Sequence, residues 1–145
     1  MPLESDLAPD PAASLPADLR VIHPLAMNSK ALVDHRIYTI ALRRMPEFLE
    51  VFDRLAMPIL LRTLGAPLGF WVSQVGPQNQ FVHLWGYDSL ADYERRCQAR
   101  DTHPDFPAYL AASGHLITAQ ETRLIRRVEL PSLRATPVGP VVDLN

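Results

Sequence analysis

The run Gln80–Tyr87, "QFVHLWGY", constrains the fold more than any other segment. Read as a strand, it places Phe81, His83, Trp85 and Tyr87 on one face and Val82, Leu84 and Gly86 on the other. A second β-rich run, Gly69–Val75, places Phe70, Val72 and Gln74 on one side and Trp71, Ser73 and Val75 on the other. Gly76-Pro77 separates the two, so they read as a hairpin. Both faces of this hairpin are largely apolar. An antiparallel sheet that leaves one face in water shows apolar and polar residues in alternation. Here each face needs a cover.

The flanking segments supply only one. Val33–Leu42, "VDHRIYTIAL", is a first strand. Pro46 opens a helix whose apolar positions, Phe48, Leu49, Phe52, Leu55, Ala56, Ile59 and Leu60, trace a single face. Pro58 inside that pattern predicts a kink or restart. A second helix begins at Ser89, with Asp92 as capping partner, runs to Arg100 and turns Leu90, Tyr93 and Cys97 inward. His103-Pro104 breaks it. A short helix over 105–113 and a last strand over Thr122–Glu129 follow. The order β-α-β-β-α-β is the ferredoxin-like split unit, an α+β fold with a four-stranded antiparallel sheet. Its two main helices roof one face. A second copy of the chain is the simplest cover for the other, so the expected state is a homodimer with its sheets face to face.

At 145 residues the chain has room for one domain. Its ends carry Pro2, Pro9, Pro11, Pro16 and Pro24, then Pro131, Pro137 and Pro140. Proline fixes φ and removes a backbone donor, so residues 1–30 read as an extended or disordered arm and 131–145 as an extended tail around a domain at 31–130. Met27 offers an alternative start just before the first strand. A formal net charge of −2 gives no basic field for a phosphate backbone, so no nucleic-acid partner is expected. The lone Cys97 allows neither an internal disulfide nor a cysteine-rich zinc site. No stretch approaches the ~18 apolar residues of a membrane span. The acidic leading segment lacks the features of a secretory or mitochondrial signal, and the expected location is cytoplasmic.

His83, Trp85 and Tyr87 share one face of a central strand. They could line a pocket with aromatic walls and a base titrating near neutral pH. The same residues also fill an ordinary core around a satisfied histidine. Arg36 and Tyr38 share a face of the first strand, beside the third. There they could hold a carboxylate or enolate oxygen, or Arg36 could pair with Asp34 or Glu121. His35 falls on the opposite face. His103 belongs to a turn, and Cys97 reads as a small core residue. Arg95, Arg96 and Arg100 read as a solvated face diluted by Asp92, Glu94 and Asp101.

Four segments carry a family resemblance: "VDHRIYTI", "LGFWVSQVGPQNQFVHLWGYDSLADYERR", "HPDFPAYL" and "QETRLI". Together they resemble the NIPSNAP family over residues 33–130. The family's Glu-x-Arg-x-Tyr stands here as Asp34-x-Arg36-x-Tyr38. The resemblance implies a dimeric α/β-barrel with a pocket between each subunit's sheet and helices. That superfamily includes cofactor-free monooxygenases, small isomerases and haem-binding enzymes.

The expected function is to bind a small apolar or aromatic molecule in that pocket and to transform it by proton transfer or cofactor-free oxidation. His83 would be the base, and Arg36 with Tyr38 or Tyr87 would hold an oxyanion. Trp71, Trp85 and Tyr87 would contact the ligand. No metal and no cofactor are called for. Two rivals stand beside this reading. One is a non-catalytic interaction module whose Pro-rich arms dock partners. The other is a haem-binding protein with His83 or His115 as axial ligand.

Overall fold

A computed structural model of the chain describes residues 30–132 apart from Ala66. Apart from Lys30, Pro131 and Ser132, the expected arm and tail, with Met27, lie outside the described residues. The sheet runs β2-β3-β1-β4, antiparallel throughout, with β1 at Leu32–Ile40, β2 at Pro67–Val72, β3 at Gln80–Tyr87 and β4 at Ile117–Arg126. This is the ferredoxin-like α+β arrangement predicted from the order of elements.

The first strand starts and stops earlier than predicted. Arg43 adopts a left-handed φ of 65°, and the Arg44 amide donates to the Ala41 carbonyl at 3.0 Å. That tight turn ends pairing at Ile40 and leaves Leu42 exposed. The second strand likewise stops at Val72, so Val75, 91% exposed, sits in the connecting loop. Gly76 at φ 97° and Asn79 at φ 61° let that loop reverse the chain. Pro67 begins the edge strand, where its missing N–H costs no ladder bond. The last strand begins five residues before the predicted Thr122. Its leading stretch, Ile117–Glu121, is too polar to announce a strand but pairs with β1 through to Ile40, across a bulge after Thr39.

Helix α1 (Met45–Val51) passes through a π-helical turn (Phe52–Ala56) into α2 (Met57–Thr63). Pro58 cannot donate to the carbonyl four residues back, and its ring crowds that carbonyl. The widened turn just before it absorbs the conflict without breaking the helix. The same turn buries Phe52 and Ala56 against the sheet. Helix α3 (Leu90–Asp101) is capped as predicted: the Asp92 amide donates to Ser89 Oγ at 3.1 Å, and Asp92 Oδ2 accepts from the Asp88 amide at 3.0 Å. Leu90 does not turn inward as predicted; it is 65% exposed, and Tyr93 and Cys97 alone of that set pack against the core. Helix α4 (Phe106–Ser113) completes the roof.

The core lies between helices and sheet. Phe48, Phe52, Leu60 and Leu64 meet Tyr38, Phe81, Trp85 and Tyr87 there. The opposite face of the sheet carries Val33, His35 and Ile37 from β1 and Val82 and Leu84 from β3. The register adds Trp71 and Ile125 from the two edges. Trp71 is half exposed there, its indole folded over Gly69 so closely that a Cβ at Gly69 would stand 2.6 Å from the ring.

Because the Ser89 cap satisfies a backbone donor at the start of α3, Ser89→Ala should destabilise the domain by about 1 kcal/mol. Urea unfolding monitored by tryptophan fluorescence checks this.

Candidate functional site

The inward face of β1 and β3 reads Asp34, Arg36, Tyr38 against Trp85, His83, Phe81, residue for residue across the ladder. Two polar pairs are built into it. Arg36 Nε donates to Asp34 Oδ2 at 2.7 Å, in a fully buried ion pair. Glu121, the other candidate partner, pairs with Ile37 and so belongs to the opposite face. Trp85 Nε1 donates to His83 Nδ1 at 2.8 Å.

Burial raises the pKa of Asp34, and the Arg36 charge only partly offsets it. Burial also works against the charge on Arg36, but Tyr38 and Asp34 outweigh it and hold the guanidinium above its ordinary value. Burial, reinforced by the positive charges of Arg36 and Arg100, pushes His83 down to about 3. Burial raises the Tyr87 hydroxyl and the Tyr109 hydroxyl. Three buried polar atoms have no hydrogen-bond partner among the described residues: Asp34 Oδ1, His83 Nε2 and Tyr87 Oη.

Beside this face lies a cavity of about 210 Å³ between the sheet and the helices. Its polar lining is Arg36, Tyr38, His83, Arg100, Asp101 and Gln120. Phe52 from the π-helical turn, Leu60, Phe106 and Leu110 supply apolar walls. Arg100 donates from Nε to Asp101 Oδ1 at 2.9 Å and stands 5.7 Å over the Phe106 ring.

Of the predicted site residues, His83, Arg36 and Tyr38 come together at this cavity. Trp85 lies next to it as the donor to His83, and Tyr87 is buried further along the strand. Trp71 does not join them. Its place in β2, opposite Val82, puts it on the far face of the sheet, because neighbouring residues of a strand point to opposite sides.

The base role for His83 meets a chemical obstacle. A tryptophan N–H is a donor only, so the Nδ1 lone pair is occupied and the neutral ring carries its proton on Nε2. The nitrogen left for a ligand is a donor, not a proton acceptor. The same hydrogen bond takes the lone pair that an axial haem ligand would need. His115 is exposed near Glu47 and Arg44, away from the cavity. His103 accepts from the Asp105 amide at 3.1 Å in the turn between α3 and α4. Among the described residues no group of three or more His, Cys, Asp or Glu side chains is placed to hold a metal ion.

Sequence reading passed over Arg100, which it assigned to a solvated face. Its spacing from Tyr93 and Cys97, seven and three residues, was the available signal, because these positions share one side of α3. Arg95 and Arg96 do lie outside, both bonded to Asp92 Oδ1.

His83 is neutral in the fold and titrates near 6.5 when unfolded. Its depressed pKa therefore gives stability that is present above 6.5 and lost as pH falls from 6.5 towards 3. The loss is up to about 1.4 kcal/mol per pH unit in that window. His83→Gln should remove this component, so the stability gap between native protein and variant should narrow between pH 7 and pH 4.5. Urea titrations at the two pH values check it.

Comparison with known proteins agrees with this architecture. The NIPSNAP family model matches residues 33–131. A NIPSNAP family protein of unknown function from Agrobacterium tumefaciens is 26% identical, with a TM-score of 0.65 over 68% of this chain and 88% of that one. A NIPSNAP-like domain protein from Burkholderia xenovorans is 28% identical, with a TM-score of 0.64 over 79% of this chain and 97% of that one. A putative antibiotic biosynthesis monooxygenase from Nitrosomonas europaea, 13% identical, shares the fold at a TM-score of 0.51 over 68% of this chain and 99% of that one. No curated protein matches. With a buried Asp34-x-Arg36-x-Tyr38 strand beside the His83–Trp85 strand, and a family match across the whole described domain, the chain belongs to the NIPSNAP family.

Proposed function

We propose that the protein binds a small molecule with an apolar or aromatic body in the sheet–helix cavity and works as a face-to-face homodimer. The observation that carries the first part is the cavity's composition. A packed core of this size would be lined by apolar groups alone, yet buried Arg36 and His83 stand side by side in this wall. Polar groups that converge in an otherwise apolar cavity are the usual make-up of a ligand site. At about 210 Å³ it is smaller than the ~300–1,000 Å³ of drug-sized sites, so its ligand is a single-ring or short branched-chain molecule.

The second part rests on the far face. Val33, Ile37, Val82, Leu84, Trp71 and Ile125 form an apolar surface, bordered by His35, Glu121 and Arg123, that no described element covers. A second copy meets it with the same surface.

If the molecule is transformed as well as bound, Arg36 and Tyr38 would hold a developing oxyanion, with His83 as a further donor in place of the base. The monooxygenase-type relative shares only the fold, so the reaction class does not carry over from it.

Leu110 lies at the rim of the cavity, half exposed. Leu110→Trp should close it without touching the ion pair. A panel of small aromatic and branched-chain compounds should raise the melting temperature of the native protein and not of Leu110→Trp. Equal shifts in both proteins would place binding elsewhere.

A further inference from the structure

We propose that the molecule taken by this cavity carries a carboxylate, with His83 as a neutral hydrogen-bond donor to one of its oxygens and Arg36 as its charge partner. The proposal rests on the reading of the cavity as a ligand site and specifies the ligand's chemistry.

Hydrogen-bonding capacity argues first. Trp85 fixes His83 as the Nε2–H tautomer, and His83, 1% exposed, finds no acceptor for that proton among the described residues. A buried donor without an acceptor is costly, so the site is complete only when an acceptor arrives. Arg36 stands directly across the ladder from His83. Asp34 takes only its Nε–H. The Tyr38 hydroxyl is a second partner of the guanidinium, and one terminal nitrogen lies 3.9 Å from Cys97 Sγ. A guanidinium has five N–H donors, and these contacts leave some of them for a ligand. Tyr38 and Arg100 add donors to the same wall, against Asp101 and Gln120 as the side-chain acceptors other than the tyrosine oxygens. Donors therefore outnumber acceptors.

Charge argues second. Around His83 stand Arg36 and Tyr38 on β1, Phe70 on β2, Phe81 and Trp85 on its own strand and Phe52 on the roof, and Arg100, Asp101 and Tyr109 line the same cavity. Burial first, then the guanidinium charges of Arg36 and Arg100, oppose protonation of the ring. Two guanidinium groups, Arg36 paired with Asp34 and Arg100 paired with Asp101, set the field on this wall beside a ring that stays neutral. A carboxylate gains from that field, and a neutral carbonyl gains much less. Phe52, Leu60, Phe106 and Leu110 then receive an apolar body of one ring or a short branched chain.

A cationic histidine would make a different site. It would bind carboxylates only below its pKa and take up a proton on binding. A neutral donor binds with no proton uptake and with constant affinity from pH 5.5 to 8.

The test uses the full chain with phenylacetate and 4-methylpentanoate, each against its primary amide. Long-range ¹H–¹⁵N correlation should show His83 as the Nε2–H tautomer across that pH range, with both carboxylates shifting its Nε2 signal. The carboxylates should bind about tenfold or more tighter than the amides. His83→Gln, whose amide nitrogen reaches the place of Nε2, should hold carboxylate affinity within a few fold. His83→Asn, whose amide reaches only the place of Nδ1, should lose it. Amides binding as well as carboxylates, an Nδ1–H tautomer, or affinity falling as pH rises through neutrality would each overturn the carboxylate proposal and leave the cavity standing as a ligand site. Absence of any perturbation at cavity residues by all four compounds would overturn both.

Discussion

A sheet that is apolar on both sides sets the terms for everything else in this protein. Alternation along β3 sends Phe81, His83, Trp85 and Tyr87 to one side and Val82 and Leu84 to the other, and neither side can rest in water. The helices cover one side, and their packing against a wall of aromatic rings leaves the cavity. The rings stack and cross at centroid separations of 4.8–6.3 Å around His83, which fixes the imidazole from several directions. A histidine held so firmly is a positioned group rather than a loose filler.

Polar side chains in such a wall demand partners, and the two strands supply them within the sheet itself. Asp34 sits two residues from Arg36, and Trp85 two residues from His83, so each pair lies on one face of one strand. Each of these two bonds is made within a single strand. The arrangement also leaves each functional group with its outer atoms unspent: the remaining N–H groups of Arg36 and the Nε2–H of His83. Breaking the ion pair by removing one partner would leave a buried charge alone, at a cost of about 3–5 kcal/mol. The fold thus spends stability to hold donors at a cavity, a pattern more typical of binding sites than of cores.

Much of this was legible in the residues. Strand periodicity located β3 without error at either end, and the Ser89–Asp92 cap located α3. The pairing of β1 with β3 followed from the order of elements, whereas the register that sets Arg36 opposite His83 did not. Other features were hidden for physical reasons. The start of β4 is polar because it is an edge strand, and polarity removes the alternation that marks a strand. Pro58 announced a disturbance, but a π-helical turn and a break look the same in sequence. Trp71 was drawn to the site by its chemistry, although its parity in β2 opposes that of Phe70. Arg100 was read by its charge when its helical position was the better guide. The role of His83 depended on which nitrogen Trp85 engages, a matter of χ angles that no spacing reveals.

What covers the second face of the sheet is best measured by sedimentation equilibrium of the full chain at low micromolar concentration. Face-to-face pairing gives a single species at twice 16.3 kDa that persists on dilution. A homogeneous 16.3 kDa species across the same range would contradict it and leave Val82, Leu84 and Trp71 facing water.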